Sequence, residues 1–141
     1  MKTILVPVDG SDSSTRALKV AMSLLEHRPD ALLHVVNVQA PIISGNVKRF
    51  FSSEAINDYY QDCGHTAMVP AKAMLDASGV AYQEKIVVGH VAPTIAEFVK
   101  QHGCEHIVMG TRGLGSVSGL VLGSVTTKVL TLVDVPVTLV K

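Results

Sequence analysis

The chain has 141 residues, 48% of them hydrophobic, with 12 Lys plus Arg balancing 12 Asp plus Glu, six His, two Cys and no Trp. This length and apolar content suit a single domain spanning residues 1–141 with a full core, and they exclude disorder. Zero net charge argues against binding nucleic acid or an anionic membrane by bulk electrostatics, and two cysteines are too few for a disulfide scaffold.

Residues 3–8 are β-branched and apolar and read as a buried strand stopped by Asp9-Gly10. Ser11, Asp12 and Ser13 then offer N-cap oxygens to a helix with Ala17, Val20, Ala21, Leu24 and Leu25 on one face, ending before Pro29. Residues 31–38 form a second buried strand, and residues 39–48, with Pro41, Ser44, Gly45 and Asn46, have the composition of a long loop. Helical spacing returns over residues 52–78, with Pro70 expected to kink or split the helix and Gly79 to end it. A third strand over residues 80–88 ends in Ile86-Val87-Val88, apolar on both faces. Pro93 suits the first turn of the next helix, which presents Ile95, Phe98, Val99 and His102 on one face and closes at Gly103. A fourth strand, residues 106–109, runs into a glycine-rich loop over residues 110–119. A helix from Val121 or Gly123 to Leu132 and a strand over Val137–Val140 complete the chain.

Strands that alternate with helices and are apolar on both faces imply a doubly wound α/β fold, a five-stranded parallel sheet with helices on both faces. Such sheets bind ligands beyond the carboxyl ends of their strands, where strand order reverses. The longest stretches without Asp, Glu, Lys or Arg, residues 31–47 and 113–127, are broken by polar residues and glycines. Both fall short of the roughly 20 mainly apolar residues that cross a bilayer. Nothing near Met1 reads as a signal peptide, and a cytoplasmic location is expected.

Among the segments that follow strands, the fourth carries the chemistry. Gly110, Gly113, Gly115, Gly119 and Gly123 place five of 11 glycines within fourteen residues, with Ser124, Thr126 and Thr127 at the helix start behind them. Phosphate oxygens need several converging N–H donors, and a backbone without Cβ atoms can approach them closely. A helix N-terminus near Gly123 adds unpaired N–H groups and a favourable dipole, Ser124 adds a hydroxyl, and Arg112 adds a cation. No acidic residue lies between Ile107 and Val133, so local donors can do what net charge cannot. No Gly is followed by Lys, which removes a Walker A loop, and Ser118 stands where a dinucleotide fingerprint needs its third glycine.

Gly110, two residues, Gly113, nine residues, then Gly123-Ser124 resembles the G-2x-G-9x-G-[S/T] pattern of the ATP-binding universal stress proteins. The resemblance extends to Ile4-Leu5-Val6-Pro7-Val8-Asp9-Gly10-Ser11, to Gly89-His90 with Pro93 and Ile95, to Ile107 through Gly113, and to Val135-Pro136-Val137. It implies a Rossmann-like sheet of strand order 3-2-1-4-5. It also implies that Pro7, Val8 and Asp9 line the adenine and ribose side of an ATP site and that Val38 meets adenine through its backbone. By the same resemblance, Met109, Gly110, Arg112 and Gly113 surround ribose and phosphates, while Gly123, Ser124, Val125 and Thr126 hold phosphates. Mg2+ or Mn2+ would be carried mainly by the phosphates. Independently of the family, Asp9 also reads as a turn residue capping the first helix, and the two roles are compatible.

The remaining candidates read as structural. His102, Cys104 and His106 alternate like metal ligands but sit at the amino end of a strand, opposite the expected site, and Cys63 reads as a packed free thiol. His90 reads as a turn residue rather than a base. Tyr59, Tyr60, Phe50 and Phe51 read as packing residues, since no basic stripe accompanies them. The last strand, short and apolar, is expected at a sheet edge, where an isologous homodimer through Val137–Val140 would cover it, as the resemblance also implies. The expected function is a nucleotide-dependent regulator or sensor in stress response, with a regulatory protein as partner. Its rivals are a slow ATPase or autophosphorylating enzyme using the same pocket, and a nucleotide-free dimer acting on a partner such as a transporter. No catalytic constellation is visible around Ser116 or Ser118.

Overall fold

The computed structural model describes residues 3–42, 44–113 and 121–141. The elements are β1 (Thr3–Pro7), α1 (Asp12–Leu25), β2 (Leu32–Gln39), α2 (Gly45–Phe50), α3 (Ser53–Ser78), β3 (Tyr82–Val88), α4 (Val91–His102), β4 (His106–Gly110), α5 (Ser124–Leu132) and β5 (Val137–Val140). The five strands form one parallel sheet in the order β3-β2-β1-β4-β5. β1 is central, paired with β2 from Thr3↔Leu32 to Pro7↔Val36 and with β4 at Ile4↔His106. Sequence order therefore reverses at β1 and β4, which opens a crevice between their carboxyl ends.

The alternation of strand side chains divides the core into two layers. Ile4, Val6 and Val8 of the β1 segment join Leu33 and Val35 under α1 and α3, which contribute Ala17, Leu18, Ala21, Met68, Ala71 and Leu75. Leu5, Val36, Ile107 and Met109 face the other way, against Ala92, Ile95, Phe98 and Val99 of α4 and Val129 of α5. This is the doubly wound arrangement expected from strands that are apolar on both sides.

Helix ends follow their local chemistry. Ser11 Oγ accepts from the Ser14 N–H at 3.2 Å at the start of α1, and Ser52 Oγ accepts from the Ala55 N–H at 3.0 Å at the start of α3. Gly79 and Gly103 end α3 and α4 in the left-handed conformation, with φ of 74° and 60°.

Four expectations need correction. Residues 45–50, expected as loop, form the short helix α2; it buries no residue, so no apolar periodicity announces it. α3 runs through Pro70 as one helix. The buried series Tyr60, Gly64, Met68, Ala71 and Leu75 holds both halves to the sheet and offsets the hydrogen bond that proline removes. β3 is an edge strand and is exposed over much of its length, Val88 included, so its apolar end is not buried on both faces. Phe50, Phe51 and Tyr59 also lie exposed rather than packed, whereas Tyr60 is buried and its hydroxyl accepts from the Ile42 N–H at 2.6 Å. No described helix is long and apolar enough to cross a membrane.

Candidate functional site

A cavity of about 450 Å³ opens at the carboxyl ends of β1, β2 and β4, within the range typical of small-molecule sites. The twelve residues that the resemblance assigns to a nucleotide site all line it. The β1 segment supplies Pro7, Val8 and Asp9, β2 supplies Val38, β4 and the segment after it supply Met109, Gly110, Arg112 and Gly113, and α5 with its N-cap supplies Gly123, Ser124, Val125 and Thr126. Ser14, Val36, Val91 and Ile95 complete the described lining. These four were missed. Val36 lies two residues before Val38 on the same strand face, and Val91 and Ile95 are one helical turn apart, but only the docking of α4 brings them to this cavity. Ser14 lies in the first turn of α1, beside Asp9.

The lining is divided by chemistry. Val36, Val38, Val91 and Ile95 make an apolar end on the α4 side of the sheet. Asp9 is the only carboxylate in the described lining, and Arg112 the only cation with a fixed charge. Asp9 Oδ1 accepts from the Ser11 N–H at 2.9 Å, and the Asp9 N–H donates to Ser14 Oγ at 3.4 Å. Asp9 is therefore a turn residue that also lines the cavity, while the cap of α1 expected of it is supplied by Ser11. The next residue, Gly10, has φ of +86°, a conformation that favours glycine, and it lies at ordinary contact distance from the backbone of Ala67 in α3.

The opposite wall is built from backbone. The Gly123 N–H donates to the Thr111 carbonyl at 2.7 Å, and Thr126 Oγ1 donates to the Gly110 carbonyl at 3.1 Å. These bonds tie the start of α5 to the end of β4, so the first-turn N–H groups, which have no intrahelical partners, meet the cavity beside Gly113. Gly123 carries no side chain to cap that turn. Gly110 is packed against Ser13 of α1, and a Cβ there would collide with Ser13. Gly115, Ser116, Ser118 and Gly119 lie outside the described residues.

The alternating residues His102, Cys104 and His106 turn to separate neighbours. His102 stacks on Phe98 with ring centroids 3.9 Å apart, Cys104 is buried beneath α4, and His106 Nε2 lies 2.7 Å from Thr138 Oγ1 on β5. Burial pushes the Cys104 thiol up to about 11, which keeps it protonated and unreactive near neutrality. Among the described residues no three His, Cys, Asp or Glu side chains form a group suited to a metal. His90 is the N-cap residue of α4 and borders a second, shallower depression with Lys85 and Glu97 rather than this cavity.

A family model described as "Universal stress protein family" matches residues 1–141. The universal stress protein in the QAH/OAS sulfhydrylase 3' region of Thermus aquaticus is 36% identical over 141 residues, covering 99% of this chain and 98% of that one. Among solved structures, universal stress protein UspA from Lactobacillus plantarum superposes with a TM-score of 0.82 at 25% identity, covering 99% of this chain and 97% of that one. The Archaeoglobus fulgidus universal stress protein in complex with dAMP shares the fold, with a TM-score of 0.67 at 22% identity, covering 100% of this chain and 98% of that one. The chain belongs to the universal stress protein family.

Proposed function

We propose that this protein binds ATP in the cavity and acts as a nucleotide-dependent regulator or sensor in stress response. The observation that carries the reading is the convergence of an apolar end, one carboxylate, a glycine-lined wall, a helix N-terminus and one arginine on a single space of about 450 Å³. A nucleoside triphosphate presents the matching sequence of groups. Its base suits Val36, Val38, Val91 and Ile95, and its ribose hydroxyls suit the Asp9 carboxylate. Its phosphates suit Gly113, Arg112 and the N–H groups of Ser124, Val125 and Thr126. The Archaeoglobus fulgidus relative, which holds dAMP, supports an adenine nucleotide.

The phosphates would bridge Gly113 and Ser124, so nucleotide occupancy is coupled to the surface around the segment after β4. A divalent cation, Mg2+ or Mn2+, would arrive on the phosphates. Regulation is favoured over hydrolysis because Asp9, the one carboxylate in the described lining, spends Oδ1 on the Ser11 N–H, and the Thr126 hydroxyl is committed to Gly110. The assembly that fits is a cytoplasmic homodimer joined through β5, with a regulatory protein as its further partner.

Denaturing freshly purified protein and chromatographing the supernatant tests the reading. Released adenine nucleotide, or binding of added ATP at millimolar concentration by calorimetry, is the expected result. Absence of both overturns it.

A further inference from the structure

We propose that Asn37 is a positioning residue that makes the cavity selective for adenine, by occupying the Val8 carbonyl with its side-chain amide and thereby leaving the Val38 peptide group to the base. The inference rests on the nucleotide reading and assigns a specificity device within that site.

The argument begins with the β1–β2 ladder. The Val8 N–H donates to the Val36 carbonyl at 2.8 Å, the last backbone bond between these strands among the described residues. In a parallel ladder a residue bonds alternately to the partners before and after its opposite number, so the next bond should run from the Val38 N–H to the Val8 carbonyl. It is replaced. The Asn37 side-chain amide donates to the Val8 carbonyl at 2.8 Å. That carbonyl can only accept, so the group facing it is the Nδ2 amine, and Asn37 Oδ1 in turn accepts from Gln39 Nε2 at 2.6 Å. Asn37 is 2% exposed, so water does not compete for these bonds.

Strand alternation fixes what this substitution releases. The Leu33 N–H and the Gln39 carbonyl bond toward the β3 side, to Ala81 and Gly89, and the Val36 carbonyl bonds toward β1. The Val38 N–H and C=O therefore point to the β1 side, where the strand has ended and the cavity begins, and Val38 lines that cavity. One N–H donor beside one C=O acceptor matches the adenine edge, whose N1 accepts and whose N6 amine donates. Hypoxanthine reverses both, with a donor at N1 and an acceptor at O6, and each mismatch would leave a desolvated polar group unpaired. The selectivity thus resides in the Val38 backbone, and Asn37 keeps that backbone available.

Binding of ATP, inosine triphosphate and inorganic tripolyphosphate to the wild type, Asn37→Leu and Asn37→Asp tests this, with hydrogen exchange at the Val38 amide in nucleotide-free protein. Leu and ionised Asp match Asn in size and lack its donor, so binding to Asn37→Asp is read at a pH where its carboxyl is ionised. The expected result is a preference for ATP over inosine triphosphate that falls by about tenfold or more in both variants. Tripolyphosphate binding should be unchanged, and the Val38 amide, fast to exchange in the wild type, should become protected in Asn37→Leu as it recovers the Val8 carbonyl. A folded variant with unaltered ATP preference overturns the proposal, as does a wild-type Val38 amide as protected as that of Val36. If the variants fail to fold, the wild-type exchange measurement alone decides. A wild type that binds no nucleotide but shows the fast Val38 amide overturns the nucleotide reading and the selectivity role with it, while the ladder geometry stands.

Discussion

A Cβ placed on Gly113 would come within 2.5 Å of Oδ2 of Asp9, so the segment after β4 and the turn after β1 meet at a spacing that admits a side chain only if the Asp9 carboxylate moves. Because the obstructing atom is a side-chain tip, Gly113→Val should displace the Asp9 carboxylate rather than unfold the sheet. Displacement also threatens the bond from the Ser11 N–H to Asp9 Oδ1, worth about 1 kcal/mol, so the melting midpoint should fall by only a few degrees. Nucleotide affinity should fall by about tenfold or more, since both the ribose ligand and the phosphate space are lost. Calorimetry with ATP alongside a thermal melt separates the effects, and unchanged affinity in a folded variant would show that the loop is misplaced.

Arg112 is half-buried and is the fixed cation of the described lining, on the same wall as the N-terminus of α5. Charge-assisted bonds to phosphate contribute about 1.5–3 kcal/mol, so Arg112→Gln should weaken ATP by roughly 10- to 100-fold. AMP and adenosine should be affected progressively less, because the loss scales with the phosphates within reach. An equal loss for adenosine and ATP would place Arg112 at the base or ribose instead.

The buried strands were legible because each is a short apolar run, and the longer helices because each shows one apolar face; the strand order was legible only through the family resemblance. The lining residues were legible where they sit in consecutive positions after a strand, as Asp9 and Arg112 do. Residues that reach the cavity from the side of an element, such as Ile95 on α4 and Ser14 on α1, depend on how helices dock, which local spacing does not encode. α2 escaped notice because Gly45-Asn46 reads as a turn and no buried face imposes a helical period. Asn37 was visible only as a residue near the end of a strand; its role depends on the Val8 carbonyl, 29 positions away in sequence.

His34 on β2 is buried beneath α4, with its ring edge-on to Phe98 and to His102, each at 5.3 Å between centroids. Burial, and then the neighbouring His102, hold its pKa below the usual histidine value. The folded state therefore resists protonation more than the unfolded chain does. Stability from this site is complete above the unfolded value of about 6.5 and is lost as pH falls below it. The melting midpoint should drop between pH 7 and pH 5, and His34→Phe should drop less over the same interval. Parallel pH profiles for the two proteins would remove His34 from the account.

The outer edge of β5 gives the proposed dimer a sharp test. The Pro136 carbonyl accepts from the Ile107 N–H and the Val140 carbonyl from the Thr111 N–H, so even-numbered peptide groups face β4. Val137 and Leu139 therefore direct theirs outward, where a second β5 related by a two-fold axis would pair antiparallel. Leu139→Pro removes one outward N–H without removing a ladder bond to β4, the position in which an edge strand accepts proline. Light scattering should show the wild type at twice the chain mass and Leu139→Pro at the chain mass, with circular dichroism retained. A wild type that sediments as a monomer, or a variant that remains a dimer, places the contact elsewhere.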